Sequence, residues 1–562
     1  MTCPLHLDRA GVAVRALRRI VATMTDRSGR HVVVLATVAF GFVLTLHALL
    51  APGFRASDEP QHLSTALRLL HGGGYPAPGA AVVDDAVAAS YPFVGFPGLR
   101  ELHAEQPLDH RPADLADPTL RELRAPELPR QPPQLDQMTQ HPPGYYIALA
   151  AATAALGLED ETPSTALLVL RLLSAAPLLL LPWLCWAVAR HLGLSTAAAA
   201  ASAWVPLAWP QIAVTGGTLN NGTPLVVCGA LLAWLLLPVL RGATGVGRAA
   251  AVGAVLAVGL LTKGFALAFV GSAIIAYATA AREAGARAAL RAGAVVAAVA
   301  AAGLAWWVAN VVRFGAAQPR GDDLVAWTSG REIDLPTWVW RVVRALSWSW
   351  WSIHGWLEDP LPWSGWVAVT VTALVVVGAG TWYLRSQPAA LLVLHSLWLL
   401  PLAIVVYGSF DAWLEIARLR GVQGRYLQTG AVTACVLVAA GLSSHPVSRH
   451  ALRVVPLVAT LVALGGAWRA LDWFWVRPDP GLPESWWPVP SGTVTALAVA
   501  LLVVGAVAQV QGRRVRAPVT SPPRRPSPAG LRTNVSAAGQ GPRLQPDGEA
   551  GFPRPEQSDH PR

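Results

Sequence analysis

Long apolar runs separated by short polar connections repeat along the chain from residue 31 to residue 511. A helix needs about 20 apolar residues to cross the hydrocarbon core of a bilayer, and most of these runs are near that length. Each run is predicted to be a helix, because a backbone in lipid must satisfy its own hydrogen bonds. The pattern predicts an all-α polytopic membrane protein with about 12 transmembrane helices, of which 248–261 is the shortest: 31–51, 166–189, 195–213, 223–240, 248–261, 264–281, 292–312, 363–384, 389–408, 425–443, 451–471 and 492–511.

One further apolar run, 141–158, affects the predicted orientation. If it crossed the membrane, the arginines that follow residue 511 would lie on the opposite side from those between residues 9 and 30. A helix lying in the outer interface instead puts both basic ends on one side, together with the arginines of the short inner connections. Because positive charge is retained on the cytoplasmic side, both termini are predicted to be cytoplasmic and the protein to lie in the cell membrane.

The domain organisation follows from this topology. The basic segment 1–30 is predicted to be cytoplasmic, and 31–511 to form one transmembrane domain. The tail 512–562 is rich in Pro and Arg and has few large apolar side chains, so it is predicted to be a disordered cytoplasmic segment. The outer side holds three loops large enough to build a site: 52–165, 313–362 and 409–424.

Composition and charge exclude two other classes of protein. Hydrophobic residues make up 53% of the 562 residues and charged residues 14%, whereas soluble proteins carry about 25% charged residues. The net charge of +10 comes from arginines at the termini and in short connections, which is typical of membrane orientation and not of nucleic-acid binding. The four cysteines offer no disulfide framework or paired metal ligands, since three of them lie inside apolar runs.

The first outer loop begins with Asp58-Glu59-Pro60-Gln61-His62. Acids close to a membrane segment are costly to maintain, so they are candidates for a functional role. Ser57 is predicted to cap a helix here, with its apolar face lying on the bilayer. A purely structural role is an equal alternative, because acids in a first helical turn are favoured by the helix dipole. The residues expected on that apolar face recur at helical spacing: Leu63, Ala66, Leu67 and Leu70.

Two further motifs fall on the same predicted side. His141-Pro142-Pro143-Gly144-Tyr145-Tyr146 opens the interfacial run, and its tyrosines suit a boundary between water and lipid. Lys263 is the only lysine of the chain and is predicted at an outer helix end, against the general charge trend. Both motifs have a plain structural alternative, an aromatic belt in one case and a snorkelling anchor in the other.

The third outer loop is rich in arginine. Arg418, Arg420 and Arg425 lie within eight residues, in a segment that ends in Gln423-Gly424-Arg425-Tyr426. Guanidinium groups match phosphate oxygens in a bidentate manner, which favours binding of a lipid-linked phosphate. Glu415 is close enough in sequence to form a structural ion pair instead.

The second outer loop carries many tryptophans, most of which are interpreted as interface anchors. Arg341 and Arg344 in this loop indicate a second amphipathic helix at the interface.

In the order of these features the sequence resembles the GT-C superfamily of integral-membrane glycosyltransferases, which includes protein mannosyltransferases and the aminoarabinose transferase of lipid A. The resemblance covers about residues 31–510. It consists of a first span, an acidic motif, a His-Pro-Pro-x-Tyr-Tyr element, an Asn-rich turn, Leu-Thr-Lys-Gly and a late Gln-Gly-Arg-Tyr. The acidic and Gln-Gly-Arg-Tyr motifs look most like a large bacterial group of that superfamily.

The resemblance implies a GT-C-like fold and transfer of a sugar from a polyprenyl-phosphate donor to an envelope glycan, lipid or protein on the outer face. It implies that Asp58 is the general base and Glu59 its close companion in catalysis. A base would accept the proton of the acceptor hydroxyl, and cations would stabilise the leaving phosphate. The expected substrate-binding residues are His62, His141, Tyr145, Tyr146, Asn220, Asn221, Lys263, Arg418, Arg420, Gln423, Arg425 and Tyr426.

One departure from the family concerns metal binding. Several members carry a second acid after the third span, whereas this chain has Asn220-Asn221 there. Because amides bring no charge, they would hold a hard cation such as Mg²⁺ poorly. The site is therefore predicted to work without a metal or other cofactor.

Two alternative functions remain open at the level of sequence. A transporter or flippase of lipid-linked saccharides would also need arginines, but it should place ionisable residues and broken helices near the bilayer midplane. The spans 292–312, 363–384 and 425–443 contain no Asp, Glu or Lys, which favours the enzyme. A non-catalytic envelope-assembly protein would fit the missing second acid.

Overall fold

The computed structural model describes residues 27–96, 98, 117–125, 134–319, 334–416, 419–444, 448–476 and 491–514. All of them belong to the first of two units of the chain, Met1–Ala517, and the second unit, Pro518–Arg562, lies outside the described residues. The predicted basic N-terminal segment is described only from residue 27 onward, and the predicted disordered tail only up to residue 514.

The described residues form an all-α polytopic membrane protein with one very short β-hairpin. Short 3₁₀ turns and one π-helical turn link several of the helices. The strands are β1 (Ile353–His354) and β2 (Asp359–Pro360), which pair in an antiparallel manner. The helices are α1 (Arg27–Leu50), α2 (Glu59–Leu70), α3 (Asp85–Ala89), α4 (Leu120–Leu123), α5 (Gly144–Ala155), α6 (Pro163–Ala175), α7 (Leu181–His191), α8 (Thr196–Trp204), α9 (Pro210–Gly216), α10 (Gly222–Val239), α11 (Val246–Leu260), α12 (Leu267–Ala284), α13 (Ala286–Ala300), α14 (Ala305–Phe314), α15 (Leu335–Trp351), α16 (Trp363–Tyr383), α17 (Pro388–Ile416), α18 (Ala431–Ser443), α19 (Ser448–Leu471) and α20 (Ser491–Arg514).

Among the described residues, ten helical segments are long and apolar enough to cross a membrane, or eleven if one bent pair counts as a span. The bent pair, Thr196–Ala208 with Pro210–Gly216, turns by 63°. The turn lies at Pro210, whose ring and missing N–H interrupt a helix. The ten are Gly29–Leu50, Pro163–His191, Gly222–Val239, Gly264–Ala284, Ala286–Phe314, Trp363–Tyr383, Pro388–Glu415, Gly424–Ser443, His450–Val476 and Gly492–Gln511.

The predicted count of about 12 spans therefore needs one adjustment. The shortest predicted span, 248–261, forms α11, a helix of 15 residues that is shorter than the ten segments above; its end nevertheless returns to the start of α10, where Lys263 donates to Asn221. The predicted span 195–213 is the bent pair. The remaining ten predictions each correspond to one long segment.

The run predicted to lie in the interface forms α5, which has 12 residues and is too short to cross. It packs against α2, and Tyr145, Tyr146 and Leu149 face that contact as buried side chains. Its length agrees with the prediction that it does not span the membrane, and its place in the outer interface stays a prediction.

The apolar face of α2 does not lie on the bilayer, and that prediction is wrong. Leu63, Ala66 and Leu67 are completely buried in a core built by the first loop itself, with Leu70 packed against its edge. This core forms because the loop folds back over the helix. Among the residues that the loop contributes are Val83, Val87, Tyr91, Val94 and Phe96. Residues 59 to 67 of α2 are thus all buried within protein.

The second predicted amphipathic helix is present as α15, which contains Arg341 and Arg344. Its buried side chains are Trp338, Val342 and Ser349, while Leu335, Val339, Trp340 and Val343 are exposed. The β-hairpin follows directly, so α15 and the hairpin form one unit that reaches the beginning of the first loop.

Candidate active site

A tight irregular turn joins α1 to α2. Phe54 and Asp58 both have a positive φ, 61° and 68°, which costs a non-glycine residue of order 1–3 kcal/mol and is often found at functional sites. Asp58 occupies the N-cap position of α2, but its side chain makes no capping hydrogen bond. The prediction that Ser57 caps this helix is wrong, because its hydroxyl instead donates to the Gly355 carbonyl at 3.4 Å.

Glu59 is held in a completely buried ion pair with Arg171 of α6. Arg171 Nε and Nη2 donate to the two carboxylate oxygens at 2.7 and 2.5 Å. The backbone N–H groups of Phe54 and Leu219 donate to the same carboxylate at 3.2 and 3.0 Å. Both carboxylate oxygens are therefore occupied, and Glu59 is geometrically suited to fixing the turn before α2.

Arg171 also donates to the carbonyls of Ala48, Ala51 and Pro52, at 3.0, 2.6 and 3.0 Å. Those carbonyls lie at the end of α1 and the start of the loop, where a helix leaves its last carbonyls without partners. One arginine thus ties α1, α6 and the start of α2 together.

Asp58 is free of this structural network and faces Arg425 instead. Arg425 Nη2 lies 3.2 Å from Asp58 Oδ2, and the two side chains are 10% and 24% exposed. The exposure matters, because a carboxylate that accepts a proton from a substrate must be reachable. Asp58 therefore keeps one side open while a cation holds the other.

A chain of hydrogen bonds crosses the buried floor of the site. Lys263 Nζ donates to Asn221 Oδ1 at 2.8 Å, and Asn221 Nδ2 donates to the Tyr146 hydroxyl at 3.2 Å. The same hydroxyl lies 3.2 Å from His62 Nδ1, and the two rings are stacked. Burial, together with the charges of Lys263, His141 and Arg425, lowers the pKa of His62. A neutral imidazole can accept a hydrogen bond from the tyrosine hydroxyl, so each group in the order Lys263, Asn221, Tyr146 and His62 donates to the next.

The second tyrosine fixes the neighbouring turn. The hydroxyl of Tyr145 lies 3.0 Å from Ser174 Oγ and accepts the backbone N–H of Asn220, also at 3.0 Å. Asn220 Oδ1 in turn accepts the Gly222 N–H at 2.7 Å, where α10 begins. Both asparagines therefore have a role in shaping the turn.

Close backbone contacts explain two of the motif glycines. Gly144 N–H donates to the Leu261 carbonyl at 2.8 Å, and a Cβ on Gly144 would lie only 2.6 Å from that oxygen. This contact brings the His-Pro-Pro-Gly element against the segment that carries Lys263. A Cβ on Gly424 would meet the backbone of α15 at 2.3 Å, so the Gln-Gly-Arg-Tyr segment lies directly on that helix.

Two cations lie close to one aromatic ring. Lys263 Nζ lies 5.0 Å and Arg425 Cζ 5.7 Å from the centre of the Tyr426 ring. Burial, and then the charge of Arg425, lowers the pKa of Lys263 to about 7, against an opposing effect of Asp58. In the described part of the chain, Lys263 has no carboxylate within ion-pair distance. The pair is thus suited to an anion that arrives from outside.

Two cavities meet at Arg425. The first has about 550 Å³ of empty volume, part of it open to solvent, and includes Ser57, Gln211, Thr215 and His354 in its lining. The second has about 270 Å³ of empty volume, part of it likewise open to solvent, and is lined by Lys263, Asn220 and Tyr426 with apolar side chains of α10. Arg425 and Thr215 line both, so a ligand in either cavity would lie beside the arginine that holds Asp58.

The remaining predicted site residues are less closely associated with this cluster. Arg418 lies outside the described residues. Arg420 and Gln423 are half-buried on the approach to Gly424, and neither lines the two cavities. His141 is half-buried near Lys263; burial and the charge of Lys263 lower its pKa. No group of three or more potential metal ligands occurs in the described ranges, and metal independence stays a prediction.

A family profile described as "Predicted membrane protein (DUF2142)" matches residues 40–433. The chain belongs to the DUF2142 family. The matched range contains Asp58, Glu59, Lys263 and Arg425, so the residues that converge here all lie in the family domain. Among curated proteins the DUF2142 chain has no match.

One solved structure that resembles the DUF2142 chain is the archaeal oligosaccharyltransferase AglB from Archaeoglobus fulgidus, in complex with an inhibitory peptide and a dolichol-phosphate. The identity is 13% and the TM-score 0.31, over 68% of this chain and 49% of that protein. The chain thus spans about half the length of that protein. A likeness this distant carries nothing about substrates or mechanism.

Sequence reasoning missed several residues of this DUF2142 site. Arg171 is a lone arginine inside an apolar run, which is a signal for a buried partner. No sequence pattern indicated the pair Arg55 and Glu358, because their contact joins segments about 300 residues apart. The pair His354 and Asp359 was not predicted either, since it lies within a short hairpin. Arg55 Nη2 donates to Glu358 at 2.6 Å and attaches the hairpin to the first loop.

Proposed function

We propose that this membrane protein is a GT-C-type glycosyltransferase that transfers a sugar from a polyprenyl-phosphate donor to a hydroxyl-bearing acceptor. The observation that supports it most is the convergence of Asp58, Arg425 and Lys263. These groups come from three distant parts of the chain: Arg425 lines both cavities and contacts the accessible carboxylate of Asp58, and Lys263 lines the second cavity beside the same Tyr426 ring. A transferase of this type needs a proton acceptor and a cationic site for its leaving phosphate.

In the proposed reaction Asp58 accepts the proton of the acceptor hydroxyl as that oxygen attacks the anomeric carbon of the sugar. The bond between this carbon and the phosphate oxygen breaks, and the electron pair leaves with the polyprenyl phosphate. A single displacement inverts the anomeric centre. The extra negative charge of the leaving monoester is stabilised by Arg425 and Lys263, which are largely withdrawn from water and therefore act strongly.

Glu59 takes a different part in this proposal from the one that the family resemblance implies. Its carboxylate is already occupied by Arg171 and two backbone N–H groups. We assign it to positioning Asp58, since it fixes the turn in which Asp58 adopts its positive φ. His62, Tyr146 and Asn221 position Lys263 in the same sense, through the hydrogen bonds that connect them.

The second cavity is the proposed place for the donor phosphate and the first prenyl units. Lys263 and Arg425 lie on its polar side, and Leu225 and Val226 of α10 on its apolar side. A lipid phosphate has the same division between a charged group and an apolar chain. The donor would thus bring its anion to the two cations that share the Tyr426 ring.

The test is transfer by the purified full chain in lipid nanodiscs. A panel of radiolabelled polyprenyl-phosphate sugars is incubated with the protein and a membrane extract as the source of acceptor. We expect label to move from one donor to a product that is no longer extractable as donor. Absence of transfer from every donor in the panel, by a protein that binds polyprenyl phosphate, would contradict the proposed activity.

A transporter of lipid-linked saccharides is the second candidate, and one observation favours it. The bent pair α8 and α9 is a broken helix of the kind that transporters use at binding sites, and Gln211 and Thr215 of α9 line the first cavity. Flipping of a fluorescent polyprenyl-phosphate sugar across proteoliposome membranes separates the two. A transferase should leave the lipid on its side and change its headgroup, whereas a flippase should move it unchanged.

A further inference from the structure

The first cavity contains an imidazole that the proposed reaction does not use. His354 ends β1 and is the cross-strand partner of Asp359 in β2. Its Nδ1 lies 3.3 Å from Asp359 Oδ2, and Arg469 Nη2 donates to the same oxygen at 2.6 Å. The hairpin thus presents a histidine whose orientation is set by a carboxylate, which is in turn held by an arginine.

The other nitrogen of this imidazole has no partner. His354 is 1% exposed, and its Nε2 makes no hydrogen bond within the described residues. Since Nδ1 faces a carboxylate, it carries the proton, which leaves Nε2 as an acceptor. Burial lowers the pKa of His354, so the ring is neutral near pH 7. A neutral acceptor of this kind suits a hydroxyl donor.

Other groups in the same lining also have unused polar atoms. Thr215 Oγ1 and His47 Nε2 are buried without a hydrogen-bond partner in the described part of the chain. The His47 ring lies parallel to that of His354, with 6.3 Å between the ring centres. Buried polar atoms are nearly always satisfied in proteins, so several unsatisfied ones around one cavity point to a polar ligand.

Both arginines of the lining have a carboxylate partner that is not itself part of the lining. Arg55 is paired with Glu358 at 2.6 Å, and Arg425 with Asp58 at 3.2 Å. The other polar side chains in the lining are uncharged hydroxyl, amide and imidazole groups, and Phe474 adds an aromatic ring. This is the chemistry that binds an uncharged polyhydroxyl compound, and it differs from the second cavity, where Lys263 has no counter-charge.

We propose that the first cavity is the acceptor subsite and binds an uncharged saccharide, one hydroxyl of which donates to His354 Nε2 while another contacts Thr215. The role of this site as an acceptor site rests on the proposed function, whereas the binding of a saccharide does not depend on it. Of the acceptor classes that the sequence left open, glycan, lipid and protein, it selects a glycan or the glycan part of a glycolipid. The lining includes Arg425, whose guanidinium contacts Asp58, and the proposal orients one hydroxyl of the saccharide towards that carboxylate.

The test is saturation-transfer-difference NMR on the full chain in nanodiscs, which detects weak ligands. The probes are uncharged methyl glycosides of common hexoses and pentoses and short neutral oligosaccharides, with glucuronate and glucosamine as charged counterparts. We expect at least one neutral probe to receive saturation and the charged probes to receive little. Lack of signal from every neutral probe would overturn the proposal.

Two variants examine the assigned contacts. His354→Gln and Thr215→Val should each weaken binding of the responding probe about tenfold, as expected for loss of one hydrogen bond to a buried group. His395→Gln is the matched control, because that half-buried imidazole lies on α17 and does not line the cavity. Melting temperatures identify any variant that fails to fold, and if His354→Gln does not fold, Thr215→Val, on helix α9, then carries the test alone. Unchanged probe binding in a folded variant would overturn the assignment.

Binding of a long-chain polyprenyl phosphate, measured on the same samples, separates this proposal from the proposed function. Phosphate binding that depends on Lys263, without saccharide binding, would contradict the acceptor subsite and leave the transferase standing. Saccharide binding without polyprenyl-phosphate binding would confirm a saccharide site and remove its role as acceptor of a transfer reaction.

Discussion

Arg425 Nη2 lies 3.2 Å from Asp58 Oδ2, although 367 residues separate the two along the chain. The contact joins the beginning of the first loop to the Gln-Gly-Arg-Tyr segment near the start of a late span. Because both residues border the proposed reaction centre, the contact also suggests how binding and catalysis are coupled. A phosphate that attracts Arg425 would free the carboxylate to accept a proton.

Arg425 is expected to act on the donor. Arg425→Ala should raise the KM for the polyprenyl-phosphate donor, because a phosphate loses a charge-assisted hydrogen bond worth about 1.5–3 kcal/mol. That loss corresponds to roughly 10- to 150-fold. Arg425→Lys should restore only part of it, since a point charge cannot replace the planar fork. Steady-state kinetics with varied donor measure the effect.

Arg121→Ala is a suitable control, because that arginine forms an exposed ion pair with Asp160, with side chains 61% and 64% exposed. Exposed pairs contribute little, so its donor kinetics should match the wild type. Identical donor KM values in the Arg425 variants and this control would assign Arg425 to structure.

Lys263 should titrate near pH 7 and not near its usual value of about 10.4. As the only lysine, it can be followed by NMR after reductive methylation with ¹³C-formaldehyde, apart from the N-terminal amine. Arg425→Ala should raise this pKa, because a neighbouring positive charge is removed, and Asp58→Asn should lower it. A midpoint near 10 that neither substitution moves would refute the coupling of these three groups.

The same pKa gives a direction to the pH dependence of donor binding. Below about pH 7 Lys263 is charged and can pair with phosphate, and above it the amine is neutral. Donor affinity should therefore fall as pH rises through this range, whereas Lys263→Met should bind donor weakly and with less dependence on pH.

Glu59 and Asp58 are adjacent, yet substitution of Glu59 should lower the stability of the fold, whereas substitution of Asp58 should lower the rate of transfer. Glu59→Gln leaves the fully buried Arg171 without a counter-charge, which costs about 3–5 kcal/mol in comparable pairs. The variant should melt well below the wild type and express poorly. Replacing both partners, as Glu59→Gln with Arg171→Met, should recover part of the loss, because no buried charge is then unpaired. A wild-type melting temperature for Glu59→Gln alone would contradict the structural role.

Much of the fold could be predicted because its signals are local. The apolar runs predicted nearly every span. Arg341 and Arg344, within an amphipathic pattern, indicated α15. The bilayer location of α2 was predicted wrongly for a physical reason. An apolar helical face reads the same in sequence whether lipid or a folded loop covers it, and only the fold shows that Leu63 and Leu67 pack on Val83 and Val87.

Part of the candidate site could be predicted, because several motifs contained residues suited to accepting a proton or binding a phosphate. Asp58, Lys263 and Arg425 were each expected near one site, and they converge. The partners of these residues could not be predicted, because long-range contacts leave no periodic trace. Glu59 illustrates this, since its sequence neighbourhood suggested catalysis and its buried contact with Arg171 indicates positioning. The position of His354 opposite Asp359 depends on the pairing of two short strands, which no sequence pattern predicted.

The predicted orientation of the membrane domain can be checked by accessibility. In a version without native cysteines, Glu161→Cys in the first loop should react with an impermeant thiol reagent in intact cells. Gly247→Cys and Ser386→Cys, in connections predicted to be cytoplasmic, should react only after permeabilisation. All three positions are exposed. Labelling of residue 247 or 386 from outside would reverse the predicted side of the site.

The central claim is that Asp58 is the proton acceptor, and sugar transfer by Asp58→Asn tests it most directly. Asparagine keeps the size of the side chain and tolerates a positive φ, so expression and melting temperature should stay close to those of the wild type. Asp84→Asn is the control, because Asp84 begins a helix in the same loop and is also paired with an arginine, Arg124. The account predicts transfer reduced by about 10²–10⁴-fold in Asp58→Asn and unchanged in Asp84→Asn. Wild-type turnover by a folded Asp58→Asn protein, on a donor and acceptor that the wild type uses, would contradict it.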